Sequence, residues 1–247
     1  MRVIRLVIAY DGTDFHGWAR QRGVRTVEGV VREALDRVLR TPPRLSVAGR
    51  TDAGVHAWGQ VVSFPAPDEV DPKRVRQAVN GMLAPEVVVR SARRVPEDFD
   101  ARHSATAREY LYRVDTAAVP SPFSARWTWH HPGPLRVGPM RRAAAALAGE
   151  HDFASFCRAP QRGGTVRNLL RLSVSTRGEE VRVRARANGF LHQMVRSLVG
   201  TLVRVGEGRL DPDAVAGILG ARDRAAAGSV APPQGLTLMA VRYASRS

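Results

Sequence analysis

The order of strands and helices predicted along the first 95 residues most limits what this chain can fold into. Alternating and helical spacings of apolar residues predict four strands and two helices there. Thr26 and Asp71 are good caps for the two helices, and Pro72 suits a first helical turn. The predicted elements are strand 2–10, helix 26–39, strand 44–50, strand 56–64, helix 71–82 and strand 86–95. This β-α-β-β-α-β order is that of a ferredoxin-like unit.

The remaining residues predict a second unit of the same class. Its predicted elements are strand 110–114, helix 139–148, strands 169–176 and 180–187, helices 190–205 and 213–219, and strand 236–243. We therefore expect an α/β (α+β) chain with two ferredoxin-like or RRM-like halves, 1–101 and 102–247. Each half would be a mostly antiparallel sheet backed by helices.

Composition and the N-terminal segment indicate the compartment in which the protein is expected. No apolar run approaches the roughly 20 residues that a membrane helix needs, so no membrane partner is expected. The segment Met1–Ile8 lacks the apolar stretch and the cleavage site of a signal peptide. The single cysteine, Cys157, excludes a disulfide within the chain and a zinc site built on several cysteines. We expect a cytoplasmic protein.

The net charge of +15 is the most informative bulk property, with 38 basic residues against 23 acidic ones. Lys73 is the only lysine, so arginine supplies all the other cations. A coding bias of the source genome would explain the missing lysines but not the charge itself. Guanidinium groups bind phosphate in a bidentate way and stack on bases, so the excess favours a nucleic-acid partner.

The densest local signal is the stretch Ala48–His56, which lies between two predicted strands. It places the carboxylate of Asp52 on a tight loop with glycines nearby, where backbone can approach a ligand closely. Arg50 is two residues away and would help to keep Asp52 ionised. An ordinary Asp-Ala-Gly turn with a surface ion pair fits the same spacing.

Further blocks extend this signal along the chain. They are Tyr10–Thr13 with Phe15–Trp18, Phe99–Arg102 with Ser104–Tyr110, Asn188–Arg196, and Gly235–Leu238. Together with Ala48–His56, and in this order over nearly the whole chain, they resemble the bacterial tRNA pseudouridine synthase A family.

The resemblance implies an isomerase that converts uridine to pseudouridine at positions 38–40 of the tRNA anticodon arm, with no cofactor. It implies that Asp52 is the nucleophile and that Arg50 and Arg196 are the cations beside it. Tyr110 would lie against the uracil face and help to deprotonate C5. A homodimer is also implied. The domain 1–101 would carry the catalytic loop, and 102–247 would complete a basic cleft.

Some of these residues have plainer explanations. Arg196 lies at the edge of the apolar face of its helix, where it could reach another element or extend along the surface into solvent. Tyr110 could be an ordinary strand aromatic, and Tyr112, two residues on, points the same way from the pleat. The seven histidines show no metal-ligand spacing, so no metal is expected.

Two sets of surface residues are candidates for contacts with RNA phosphates. Arg20, Arg22 and Arg25 follow Trp18 in a loop and could contact phosphate, although a solvated charged loop explains them nearly as well. The stretch Arg162–Thr165, with two glycines beside the arginine, is a weaker candidate, since the pattern indicates little more than a loop.

Two other functions compete with the isomerase. A non-catalytic RNA-binding protein with two RRM-like units would carry sheet aromatics in the RNP pattern, which no strand contains. A nucleoside hydrolase would need a second well-placed acid near Asp52, where the sequence has arginine instead.

Overall fold

The computed structural model describes residues 2–158 and 164–244, so that Arg162 and Gly163 lie outside the described residues. The chain divides into two units by internal contacts, one made of residues 2–106 with 238–244 and one of residues 107–237. The predicted division at residue 101 into two domains stays a prediction. Residues 238–243 of the last strand belong to the first unit.

The first unit contains the six predicted elements in the predicted order. They are β1 (Arg2–Tyr10), α1 (Val27–Leu39), β2 (Ser46–Val47), β3 (His56–Ala66), α2 (Pro72–Leu83) and β4 (Val87–Val95). Strand β1 pairs antiparallel with both β3 and β4, and β2 pairs antiparallel with β3. The ferredoxin-like order β4-β1-β3-β2 is therefore confirmed for this unit.

The core of the first unit lies between this sheet and its two helices. Alternate residues of β1 are fully buried, among them Ile4, Leu6 and Ile8. Helix α1 buries its apolar stripe through Val27, Val31, Ala34 and Leu35. The Thr26 side chain caps this helix by accepting a hydrogen bond from the Gly29 N–H. These elements are stiff supports for the loops between them.

The second unit contains further strands, mostly antiparallel, together with helices. Its elements are β5 (Ala105–Asp115), β6 (Trp129–His130), α3 (Val137–Ala146), β7 (Gly149–Asp152), β8 (Val166–Arg177), β9 (Glu180–Ala187), α4 (Met194–Gly206) and α5 (Ala214–Ala221). The last strand, β10 (Leu236–Tyr243), follows them in the chain, and most of its residues belong to the first unit. The strand order is β5-β9-β8-β7, with β6 parallel to β5. The α+β class with mostly antiparallel sheets is confirmed, and helix α3 contacts both β8 and α4.

Helix α4 begins later than predicted. Its first residue is Met194 and not Phe190, because Gln193 has a left-handed φ of 62° that interrupts the helix. The helix is otherwise the most buried in the chain, with Leu198, Val199 and Leu202 fully inaccessible to solvent. Strands β6 and β7, of two and four residues, were not predicted because they are too short to show a period.

Candidate active site

The Asp52 loop, defined as residues 49–55, connects β2 to β3 in the first unit. Thr51 is buried, Asp52 is half-buried and Arg50 is exposed. The Val55 N–H donates to the Asp52 carbonyl oxygen at 3.1 Å, and Gly54 has a φ of 75°, so the predicted tight turn is present. The turn places the Asp52 carboxylate at the boundary between protein and solvent, where a bound nucleotide could reach it.

A second loop, residues 11–18 after β1, packs against the Asp52 loop by backbone hydrogen bonds. The Trp18 N–H donates to the Thr51 carbonyl oxygen at 3.0 Å, and the Gly54 N–H donates to the Phe15 carbonyl oxygen at 3.3 Å. These bonds lie on both sides of Asp52 in sequence. The position of the carboxylate is therefore set by main-chain contacts that do not depend on flexible side chains.

Two glycines make this approach of backbone to backbone possible. A Cβ atom on Gly17, whose φ is 84°, would lie 2.8 Å from the Thr51 carbonyl oxygen. A Cβ atom on Gly12 would lie 2.1 Å from the Val55 carbonyl oxygen. The Gly12 N–H also donates to Nδ1 of the buried His56 at 2.9 Å. Larger residues at either glycine would push the two loops apart.

Buried polar side chains support the Asp52 loop from the sheet. The Tyr10 hydroxyl and the Thr51 hydroxyl are hydrogen-bonded at 2.8 Å. The Gln60 amide donates to the Gly49 carbonyl oxygen at 2.6 Å and to the Tyr10 oxygen at 3.4 Å. Burial raises the pKa of Tyr10 to about 12, so this hydroxyl stays neutral at physiological pH. A neutral network holds the loop without a buried charge of its own.

Sequence reasoning did not identify Tyr10 and Gln60 as residues that hold the loop. The available signal in the sequence was a glutamine on the apolar face of β3. In the structure Gln60 pairs with the buried Ile8 and is itself fully buried. A buried amide must find partners, and here they are loop atoms.

Arg50 is placed on the solvent side of the loop. Its side chain makes no hydrogen bond or ion pair with any residue in the ranges 2–158 and 164–244. Its expected place beside the Asp52 carboxylate stays a prediction.

Tyr110 lies on β5 in the second unit, with 8% of its surface exposed. Its ring stands edge-on to the Phe190 ring, with 5.2 Å between centroids and 89° between planes. The strand register pairs Tyr110 with Ala185 and Tyr112 with Val183, so both tyrosines face the same side of the sheet, as predicted. This aromatic pair could lie against the face of a pyrimidine.

Arg196 lies in the first turn of α4 and is half-buried. Its Nε–H donates to the Ala231 carbonyl oxygen at 2.7 Å, and the Ala231 N–H donates to the Arg196 carbonyl oxygen at 3.1 Å. Of the two possibilities left open by the helical wheel, Arg196 therefore reaches another segment and does not merely extend into solvent.

The three loop arginines have different surroundings. All are exposed. Arg25 forms two hydrogen bonds with the Glu86 carboxylate, at 2.7 and 3.2 Å, and lies 4.4 Å from the centre of the Phe15 ring. Its pKa is raised by the hydrogen bond to Glu86. Arg20 and Arg22 make no such side-chain contact within the described part of the chain, so they are better placed than Arg25 to bind an external anion.

The described residues offer neither a metal-binding cluster nor a membrane-spanning helix. Among residues 2–158 and 164–244, no three His, Cys, Asp or Glu side chains are grouped as a metal ion would require. None of the helices over the same residues has the length and apolarity to cross a bilayer.

Comparison with known proteins identifies close relatives. The family model described as tRNA pseudouridine synthase matches residues 6–104 and 143–244. A tRNA pseudouridine synthase A of Methylobacterium nodulans is 46% identical over 97% of this chain and 95% of the relative. That of Frankia casuarinae is 49% identical over 97% of this chain and 89% of the relative, and that of Geotalea daltonii is 40% identical over 98% and 100%.

Solved structures are more distant. An H/ACA RNP bound to a substrate RNA that contains 2'-deoxyuridine aligns with 14% identity and a TM-score of 0.37, over 81% of this chain and 44% of the solved chain.

Proposed function

This chain belongs to the tRNA pseudouridine synthase family, and from that membership we propose that it isomerises uridine at positions 38–40 of the anticodon arm with Asp52 as its catalytic carboxylate. The family assignment makes the chain an isomerase that converts uridine to pseudouridine in tRNA. The observation that carries the role of Asp52 is its half-buried position on a loop held by main-chain hydrogen bonds on both sides.

The isomerisation breaks the bond from C1′ to N1 and forms a bond from C1′ to C5 of the same uracil. C5 loses its hydrogen as a proton to solvent, and N1 gains one, so the composition does not change. A carboxylate at C1′ can attack the sugar or stabilise its cationic character while the base is detached. Water must be excluded during that interval, because hydrolysis would leave an abasic site. In our proposal Asp52 is the nucleophile.

The other site residues would keep Asp52 ionised and bind the uracil of the target nucleotide. Arg50 and Arg196 would favour the ionised form of Asp52, since a nearby cation offsets the cost of partial burial. Tyr110, edge-on to Phe190, would lie against the uracil and help to remove the C5 proton. The target nucleotide would leave its stack to reach them.

Arg20 and Arg22 are the proposed contacts with tRNA phosphates. They are exposed, and they follow the 11–18 loop that contacts the Asp52 loop through Trp18 and Thr51. A cation here would hold the RNA backbone near the reacting nucleotide.

We also propose that the enzyme is a cytoplasmic homodimer. Its substrate, tRNA, suggests the compartment. Two exposed apolar side chains between β5 and β6, Val119 at 75% and Phe123 at 88% exposure, are candidates to be covered by a second copy. Light scattering after gel filtration would give the mass in solution, and a monomeric mass at micromolar concentration would contradict the proposal.

One assay tests the reaction itself. Unmodified tRNA labelled with tritium at uridine C5 is incubated with the protein, and the label released and the base retained in the RNA are both measured. We expect release of tritium with retention of the base, confined to positions 38–40 when the RNA is mapped. Release of free uracil would mean hydrolysis, and binding without release would mean a non-catalytic RNA-binding protein.

A further inference from the structure

Residues 224–235, called the strap from here on, run across one face of α4 before β10 begins. The Gly228 N–H donates to the Thr201 hydroxyl at 3.0 Å, and the Arg224 guanidinium donates to the Gly228 carbonyl oxygen at 3.0 Å. Further along, Ala231 exchanges two hydrogen bonds with Arg196. Arg196 and Thr201 lie five residues apart on α4, so the strap is bound to the helix at two separated points.

The helix has a groove that admits the strap. A Cβ atom on Gly200 would lie 1.8 Å from the Ser229 carbonyl oxygen. A Cβ atom on Gly228 would lie 2.9 Å from the Thr201 nitrogen. Both positions therefore require glycine for the strap to lie this close to α4.

Two adjacent carbonyl groups of the strap have different partners. The Ala231 carbonyl oxygen accepts from Arg196 Nε–H at 2.7 Å, and the Pro232 carbonyl oxygen accepts from the Tyr112 hydroxyl at 2.7 Å. Only Pro232 separates the two carbonyls. Two backbone rotations, φ and ψ of Pro232, lie between them, and the proline ring restricts the first, which is −53°. A shift of one carbonyl is therefore coupled to the other more tightly than at a non-proline residue.

The Tyr112 ring is held in place by close packing. The side chain is fully buried, and its ring lies edge-on to Trp129 at 6.3 Å. A Cβ atom on Gly235 would lie 2.6 Å from the Tyr112 ring, so the end of the strap also packs on it. Burial raises the pKa of Tyr112 while the charge of Arg196 lowers it, so the hydroxyl keeps its proton and the guanidinium lies within electrostatic range.

We propose that Tyr112 is a positioning residue, which orients the Arg196 guanidinium through the Pro232 and Ala231 carbonyl groups. The inference rests on the proposed function for the catalytic role of Arg196. The Tyr112 hydroxyl holds Pro232, Pro232 sets the direction of the Ala231 carbonyl, and that carbonyl sets the plane of the guanidinium through Nε. Because the guanidinium is planar and its N–H donors have fixed directions, a shift of the carbonyl changes where those donors point.

The test is a double-mutant cycle on the full-length protein with tritium release from C5-labelled tRNA. Tyr112→Phe keeps the ring and removes the hydroxyl. It should lower kcat by about ten- to a hundredfold, because a misplaced catalytic group costs that much, with KM and tRNA affinity within about twofold. In the Arg196→Ala background the same change should lower kcat no further, since Tyr112 acts only through Arg196.

Tyr243→Phe is the matched control. It also removes a tyrosine hydroxyl bonded to a main-chain carbonyl, here that of Ala101 at 2.9 Å, but it does so in the other unit. We expect both variants to lower Tm by similar amounts and only Tyr112→Phe to lower kcat. An equal loss of kcat in both would show that general destabilisation is responsible and would overturn the proposal.

A second pair of variants tests the close contact between α4 and the strap. Gly200→Ala places its methyl group against Ser229 and should lower kcat as Tyr112→Phe does, whereas Gly217→Ala in α5, with open space around it, should not. If Gly200→Ala does not fold, the Tyr112 cycle decides the matter.

The remaining outcomes separate this inference from the function on which it rests. Wild-type kcat in Tyr112→Phe with a defective Arg196→Ala overturns the inference alone. Additive losses in the double variant also overturn it, because Tyr112 would then act elsewhere. Wild-type kcat in Arg196→Ala overturns the inference together with the role of Arg196, while tritium release by the wild-type protein still tests the isomerase.

Discussion

The Trp18 N–H donates a hydrogen bond to the carbonyl oxygen of Thr51 at 3.0 Å, one residue before Asp52. Through this bond the 11–18 loop, far from Asp52 in sequence, determines where the carboxylate lies. The contact depends on the absence of a side chain at Gly17, whose Cβ position is 2.8 Å from the same oxygen. The proposed active site is thus held by a main-chain contact that a single methyl group would displace.

Gly17→Ala should therefore lower kcat by more than strain in the left-handed backbone alone would. An alanine at φ 84° costs about 1–2 kcal/mol of stability, and the methyl group would also push Thr51 away. Gly23→Ala is the control, because Gly23 has a φ of 79° and nothing within 4 Å of its Cβ position. We expect similar backbone strain in both variants by urea unfolding, and a loss of kcat in Gly17→Ala alone. Equal kcat values would show that the loop contact is not needed.

Asp52→Asn should abolish tritium release and leave tRNA binding largely intact. The amide is close in size to the carboxylate but cannot act as the nucleophile, so we expect a loss of at least about a thousandfold in kcat. Asp36→Asn, on the exposed side of α1, is the control for removal of one negative charge. Activity of the Asp52 variant within tenfold of wild type would exclude the proposed role.

Removal of Arg20 and Arg22 should weaken tRNA binding and make it less sensitive to salt. Each phosphate that the variant no longer binds should lower the slope of log affinity against log salt by about 1. Arg25→Ala should instead lower stability, because Arg25 is paired with Glu86. The measurement is filter binding from low to moderate salt for the double variant and for Arg25→Ala. An unchanged slope in the Arg20/Arg22 variant would place the tRNA elsewhere.

Glu180 provides a pH dependence of stability. Burial raises the pKa of its carboxyl, but hydrogen bonds from Arg113 and Arg182 outweigh burial and hold the pKa below its usual value. A lowered pKa in the folded state stabilises the fold above the unfolded pKa of 4.5, and this stability is lost as the pH falls through the folded value.

Glu180→Gln should thus lower the free energy of unfolding by about 1 kcal/mol at pH 7 and by less at about pH 3. Urea unfolding at the two pH values measures the difference. Glu179→Gln, at an exposed neighbouring position, is the control. A difference that grows on acidification would contradict the assigned direction of the pKa shift.

Local patterns in the sequence were sufficient for most elements and for the loop that carries Asp52. The ends of β1, β9 and β10 lie at the predicted residues, and α1 begins behind Thr26 as expected, because strand alternation and helix caps are local properties. The start of α4 was wrong by four residues. The left-handed Gln193 that delays it has no side-chain cap, and nothing in the local pattern indicates it.

Residues far apart in sequence decided the rest. Gln60 and Gly49, Trp18 and Thr51, and Tyr112 and Pro232 are 11, 33 and 120 positions apart, and no periodicity connects them. Their contacts follow from sheet register and from glycines that allow two segments to touch, which only the folded chain displays.

By itself the sequence determined the element order, the loop position of Asp52, and the family resemblance, since these depend on residue types and on short spacings. Tertiary structure alone decided which carbonyl orients Arg196, which loop holds Asp52, and that Arg25 forms an ion pair with Glu86. The physical reason is that hydrogen bonds and close packing act over ångströms in space, whatever the separation along the chain.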